Sequence, residues 1–277
     1  MRLGGHIFTP TDSPEQWAQV VRSLGYSAAY CPVGPEASSS VIAAYAAAAL
    51  AADIVIAEVG TWSNPMSPDA AEAQAALEKC QAGLALADEI GARCCVNIAG
   101  SLGAKWDGPD PRNLSDECFD RIVATTRAII DAVQPTRTFY TLETMPWIFP
   151  HTPQSYLDLL TAIDRPQFAV HLDPVNMVNG VVPYFGNAAL LRESFEKLGP
   201  QIKSCHAKDI LLHETLTTHL DEVRPGLGGL DYGVYLTELA KLDRDVCLMI
   251  EHLPEAEYAP AADHIRSVAA AVGVAFV

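Results

Sequence analysis

Positive charge is scarce in this sequence. Lys and Arg number 18 against 34 Asp and Glu, which gives a formal net charge of −16 at pH 7. Proteins that grip a phosphate backbone do so with clustered Lys and Arg, so the deficit argues against nucleic acid and suits a small neutral ligand or a metal ion. Long apolar runs are missing too. A membrane span needs roughly 20 apolar residues in a row. The longest run, 41–55, is alanine-rich, contains Asp53, and reads as a buried helix leading into a strand. The opening MRLGGHIFTP lacks the apolar segment of a secretory signal. None of the seven cysteines forms a CxxC pair. Their odd number and their scatter through apolar stretches predict reduced, buried thiols and a cytoplasmic protein. No GxGxxG turn follows the first strand, which weighs against a dinucleotide-binding sheet.

What is present is alternation. Strand-like and helix-like stretches follow one another from end to end. RLGGHIF, SAAYCPV, IVIAEVGTW and RCCVNIAG read as the first four strands. The helices between them include one from Ser13 as N-cap and a long one over Ala70 to Ile90, stopped by Gly91. The loop SLGAKWDGPDPRNLS is rich in Pro and Gly and has the length of a lid or binding loop. The second half supplies FYTLETM, FAVHLDPVNM, KSCHAKD and CLMIEHL, each followed by a helical stretch. Near-continuous apolar strands separated by amphipathic helices imply a parallel sheet covered by helices. Eight such units fit a closed (β/α)8 TIM barrel, an α/β fold, as a single domain over 1–277. A doubly wound open sheet is the alternative.

The barrel makes a prediction from strand ends alone, because sites of such barrels lie at the C-terminal ends of the strands. Glu143, Asp173, His206 and Glu251 occupy those ends on strands five to eight. Read singly, each has a bland explanation: a solvated glutamate, a turn-forming Asp before Pro174, a core histidine. Together they are three carboxylates and one imidazole that would be costly to bury without a shared cation. The set suits one divalent metal ion, Mn²⁺ first, with Mg²⁺, Co²⁺ or Zn²⁺ as alternatives. No thiolate is among them, which argues against a structural zinc. Side chains two apart share a strand face, so His171 should point with Asp173, and Ser204 and Lys208 with His206.

Other residues are candidates for the pocket. His6 ends strand one, and Glu58 and Trp62 end strand three, where Trp62 would stack on a sugar face or simply pack. Trp106 is a candidate lid residue and Trp147 a pocket wall. Asn176 could hydrogen-bond a ligand hydroxyl, and Lys208 and Arg224 could hold an anionic or hydroxylated end of a substrate. His252 should point away from Glu251 and serve structure. His213, His219 and His264 read as loop or helix-face residues.

LETMP with Glu143, HLDPVN with Asp173, CHAKD with His206, IEHL with Glu251 and the turn RPGLGGLDYGVYLTEL together resemble the xylose-isomerase-like barrel superfamily. Within it they resemble the sugar phosphate isomerase/epimerase group, which includes ketose 3-epimerases and inosose dehydratases. The resemblance implies that Glu143 and Glu251 bind a metal and serve as acid–base pair, with Asp173 and His206 completing the coordination. It implies an isomerase or epimerase acting on a ketose or related keto-sugar through an enediolate. A metal-dependent dehydratase or lyase acting on a keto-inositol, keto-sugar or keto-glycoside is the first alternative, and a non-catalytic sugar-binding barrel the second. The implied partner is a small sugar or polyol, with no nucleic acid, no membrane, and room for a homo-oligomer. Two departures stand out: Asn176 replaces a histidine common in the group, and TMPWIFP lacks the acidic residue that ketose epimerases keep after the first glutamate. The endonuclease branch needs further histidines that are absent here.

Overall fold

The computed structural model describes residues 1–277. In chain order the elements are β1 (Arg2–Gly5), α1 (Pro14–Ser23), β2 (Ala28–Tyr30), α2 (Ser39–Ala51), β3 (Val55–Gly60), α3 (Ala70–Ile90), β4 (Cys94–Asn97) and α4 (Asp116–Val133). There follow β5 (Tyr140–Glu143), α5 (Pro153–Ile163), β6 (Phe168–Leu172), α6 (Val181–Phe185), α7 (Asn187–Leu198) and β7 (Ile202–Ala207). The chain ends with β8 (Asp209–His213), β9 (His219–Val223), α8 (Tyr232–Leu239), β10 (Cys247–Ile250) and α9 (Glu255–Ala271). Eight strands close into a barrel in the order β1-β10-β7-β6-β5-β4-β3-β2, and every pairing is parallel. The predicted single (β/α)8 barrel is thus the observed fold. No helix is long and apolar enough to cross a membrane.

Local chemistry sets the helix ends. Ser13 and Ser115 accept backbone N–H bonds from Gln16 and Cys118, and Thr152 and Ser155 form a reciprocal capping box at α5. Each such cap is worth about 1 kcal/mol. Gly91, at φ 79°, ends α3 in the left-handed region where glycine carries no Cβ penalty. The floor of the barrel is built from small and flexible side chains, Ala28, Ala57, Cys247 and Met249. Gly4 belongs with them, since a Cβ there would lie 2.5 Å from the Ala28 carbonyl oxygen and 2.7 Å from Met249 Sδ.

Two interruptions of the ladder position the site. Between β2 and β3 the register steps from Ala29–Ile56 to Tyr30–Glu58 and skips Ala57. Between β6 and β7 it steps from Val170–Ile202 to His171–Ser204 and skips Lys203. A skipped residue is a β-bulge, which re-aims the side chains that follow. Here those are Glu58, Ser204 and His206, and all three face into the barrel.

The sequence reading left a loop between the His206 strand and its helix. The structure has instead an antiparallel hairpin, β8 paired with β9. Its outer strand HLDEV is mostly exposed and polar, so it carries no apolar run by which to recognise a strand.

Candidate metal centre

Two of the four strand-end residues, Asp173 and His206, are held by contacts of their own backbone and carboxylate outside the cluster. Thr144 Oγ1 donates to the Asp173 carbonyl at 2.6 Å and accepts from the Asp173 N–H at 3.1 Å. Asp173 Oδ1 accepts from the backbone N–H of Val175 and Asn176, which leaves Oδ2 free to face the barrel axis. Tyr235 and Tyr232 donate hydroxyl hydrogens to the carbonyls of His206 and Lys208. Asp209 gathers the N–H groups of Gly226, Gly228 and Leu230, and so folds the glycine-rich turn back onto the start of β8.

Glu143, Asp173, His206 and Glu251 are all buried, and their ligand atoms lie within 4.8 Å of one another. His206 Nδ1 is 2.8 Å from Glu251 Oε1, 3.1 Å from Glu143 Oε1 and 3.5 Å from Asp173 Oδ2. Three hard oxygens and one imidazole nitrogen, converging on one point, are a donor set that fits a divalent cation. Lys208 enters the same space. Its Nζ is 2.6 Å from both Asp173 Oδ2 and Glu251 Oε1 and 3.4 Å from Glu143 Oε1. Asn176 Nδ2 donates to Glu143 Oε1 and Asp173 Oδ2.

Proton affinities follow from these contacts. Burial raises the Glu143 carboxyl, and Lys208 and His206 offset this only in part. Burial works against the charged forms of Asp173 and Glu251 as well, but there the cationic neighbours win. Asp173 is held well below the usual carboxylate range, chiefly by Lys208, and Glu251 falls to about 2 under the pull of His206 and Lys208. Burial opposes the Lys208 ammonium too, yet the three carboxylates keep it well above the ordinary lysine value.

Above the cluster lies a cavity of about 380 Å³ lined by Trp62, Trp106, Asn176, Lys208, Glu222 and His252. A second cavity of about 320 Å³ opens on the other side of Trp62 and is bounded by His6, Tyr30, Lys79 and Glu251. His6 stacks on Tyr30 with ring centroids 4.5 Å apart. Trp147 donates Nε1–H to the Asp107 carbonyl at 2.8 Å, tying the long Trp106 loop to the segment after β5.

Glu58 borders the second cavity, with its carboxylate turned inward by the bulge to lie beneath His206, hydrogen-bonded by Ser204 and 3.0 Å from His171 Nε2. Two expectations are corrected. Arg224 does not reach the cavity above the cluster. Its guanidinium pairs with Glu257 at 2.6 Å and donates to the Pro225 carbonyl. His252 does not point away. Its backbone adopts φ 57°, and the side chain swings into the cavity with Nδ1 3.1 Å from Glu222 Oε1. The other left-handed non-glycine residues include Gln134 and Asp164, which are helix C-caps. His252 caps no helix, and strain of this kind gathers at functional sites. Reading the sequence missed Glu222 altogether, since its hairpin was not legible. It anticipated the directions of His171, Ser204 and Lys208 through the two-residue period.

No curated protein matches the sequence. Solved structures match over nearly the whole chain. D-psicose 3-epimerase from Clostridium cellulolyticum H10, solved with D-tagatose, is 17% identical, with TM-score 0.68 and coverage of 97% of this chain and 99% of that one. The probable 3-DHS dehydratase AsbF from Bacillus anthracis is 16% identical, with TM-score 0.69 and coverage of 96% and 97%. A xylose isomerase-like TIM barrel protein from Mycobacterium smegmatis, in complex with magnesium, is 15% identical, with TM-score 0.66 and coverage of 96% and 90%. Likeness at these identities is one of fold. The family description "xylose isomerase-like TIM barrel" matches residues 18–268, and the chain belongs to that family.

Proposed function

We propose that the protein is a divalent-metal-dependent isomerase or epimerase of a ketose or related keto-sugar, with Glu143 and Glu251 as acid–base pair. The observation that carries this reading is the convergence of four buried donors within 4.8 Å of one another at the barrel mouth. The excess of carboxylate favours a hard ion, with Mn²⁺ first, and the magnesium in a structural neighbour agrees with that class. Glu143, Asp173, His206 and Glu251 would hold the ion. When bound, it would supply Lewis acidity toward a carbonyl oxygen and so acidify the adjacent C–H.

The chain's own residues do the rest. Glu143 and Glu251 come from β5 and from the end of β10, two strands that are separated in the barrel by β6 and β7. One carboxylate takes the proton next to the carbonyl, and the other returns a proton from its own side. Asn176 orients Glu143 through its amide N–H. Lys208 fixes Glu251 and Asp173 from the opposite direction. Trp62 and Trp106 offer flat apolar walls for the sugar. Lys208 is already matched by three carboxylates, which supports an uncharged polyol rather than a phosphate ester as substrate.

A second reading is elimination by a dehydratase or lyase. His252 and Glu222 favour it, since they place a histidine beside Glu251, where it could protonate a departing oxygen. Measuring bound metal and solvent proton exchange in D₂O, over a panel of ketoses and keto-inositols, tests both readings. Chelator-sensitive exchange with an epimer or isomer as product supports the first, and an unsaturated product supports the second. Bound metal with no exchange on any of these substrates would leave a sugar-binding barrel. A protein that takes up no metal would sink the proposal.

A further inference from the structure

A second cluster lies directly beneath the first. Glu58, His171 and His206 also offer ligand atoms within 4.8 Å of one another, and each side chain is at most 1% exposed. Glu58 Oε1 accepts from the Ser204 hydroxyl and lies 3.0 Å from His171 Nε2. Glu58 Oε2 faces His206 Nε2 at 3.5 Å, and neither atom has a hydrogen-bond partner. The His171 ring stands edge-on to His206, with centroids 4.1 Å apart and planes at 71°, so the His206 ring is confined on its flank.

Two functions fit such a trio: a second cation site, or an anchor for the ring above. The hydrogen bonds decide between them. Glu58 Oε1 is committed to two donors, which leaves one carboxylate oxygen. His206 presents Nδ1 to Glu143, Asp173 and Glu251, and an imidazole that coordinates through one nitrogen carries its proton on the other. That proton sits on Nε2, in a dry environment where an unmet N–H is costly. Glu58 Oε2 is the acceptor in front of it. The β-bulge at Ala57 is what turns this carboxylate inward.

We propose that Glu58 is a positioning residue: it fixes the His206 tautomer and ring angle so that the Nδ1 lone pair faces the three carboxylates above. The inference rests on the metal centre proposed for those residues. Ser204 and His171 in turn hold Glu58, so the chain of contacts runs from Ser204 and His171 to Glu58, to His206, to the ion.

The test uses Co²⁺ as probe with the full chain, reading stoichiometry by elemental analysis, affinity by calorimetry and ligand geometry by the visible spectrum of the bound ion. In Glu58→Gln a single amide oxygen must serve donors that two carboxylate oxygens now share. About one ion per chain should remain, with affinity reduced about 10- to 100-fold and the visible band shifted. Ser204→Ala removes one of the two donors to Glu58 Oε1 but leaves Oε2 opposite His206, so it should give a smaller loss of affinity and a smaller band shift than Glu58→Gln. Should Glu58→Gln fail to fold, Glu58→Asp withdraws the carboxylate by one methylene and should give a smaller loss of the same kind. Wild-type affinity and spectrum in the Glu58 variant would overturn the proposal, as would an equal loss in Ser204→Ala. Two ions in the wild type and one in Glu58→Gln would also overturn it, because the trio would then be a cation site. A wild-type chain that binds no Co²⁺ would instead defeat the metal centre itself.

Discussion

Lys208 Nζ lies 2.6 Å from Asp173 Oδ2, and neither side chain is more than 1% exposed. The same ammonium is 2.6 Å from Glu251 Oε1. Lys208 is therefore the internal cation of a carboxylate cluster. Removing one partner of a buried pair leaves the other charge uncompensated, at a cost of about 3–5 kcal/mol. Lys208→Met should therefore lower stability sharply in the presence of chelator, and much less with saturating Mn²⁺, which restores positive charge and binds the native state. Denaturant melts with and without metal check this. Equal losses under both conditions would mean that Lys208 contributes packing rather than charge.

Asp173→Asn separates folding from binding. Oδ1 of Asp173 serves the backbone N–H groups of Val175 and Asn176, and an amide oxygen can accept those bonds. Oδ2 faces Lys208 and His206, where an amide NH₂ is a poor substitute. The variant should remain folded by circular dichroism yet carry little metal by elemental analysis. Wild-type metal content would remove Asp173 from the ligand set.

Glu251→Gln should keep the fold and lose proton exchange by about 10²–10⁴-fold, the usual range for a missing general acid or base. The readout is deuterium incorporation into whichever ketose the wild type turns over. Exchange at the wild-type rate would take Glu251 out of the acid–base pair.

The architecture and the convergence of the four strand-end residues were legible because both rest on short-range rules. Apolar strand runs recur between helical stretches, and a polar residue ends each of the last four strands. The two-residue period then gave the directions of His171, Ser204 and Lys208. The contacts of Glu58 with His171 and His206 were not legible because nothing in IVIAEVGTW signals a bulge; register slips are set by neighbouring strands, not by the strand itself. His252 was sent the wrong way because strict alternation assumes extended backbone, and φ 57° breaks it. Glu222 was invisible since its strand, HLDEV, alternates without an apolar face. Arg224 was assigned to substrate on charge alone, while Glu257, in the first turn of α9, claims it.

The cysteines give a last prediction. All seven are free. Burial pushes the thiol of Cys118 up to about 11 and that of Cys247 up to about 12. Burial raises Cys94, Cys95 and Cys205 further still. The thiolate is the reacting form, so in the folded protein these groups are both inaccessible and protonated. Cys31 differs. It is the one cysteine that is not fully buried, and it borders the cavity beside His6 and Tyr30. Burial raises it too, so its reaction should be slow rather than absent. A thiol-reactive chromophore at about pH 8, a little below the free thiol value, should label Cys31 alone in the native state. All seven should react once the protein is unfolded in denaturant. Cys31→Ser should abolish the native-state signal and leave the denatured count one lower. Rapid labelling of several thiols in the folded wild type would mean that the barrel core opens to solvent far more readily than this packing allows. Because Cys31 faces the cavity, a sugar that binds there should slow its labelling, which makes the thiol a reporter for screening substrates.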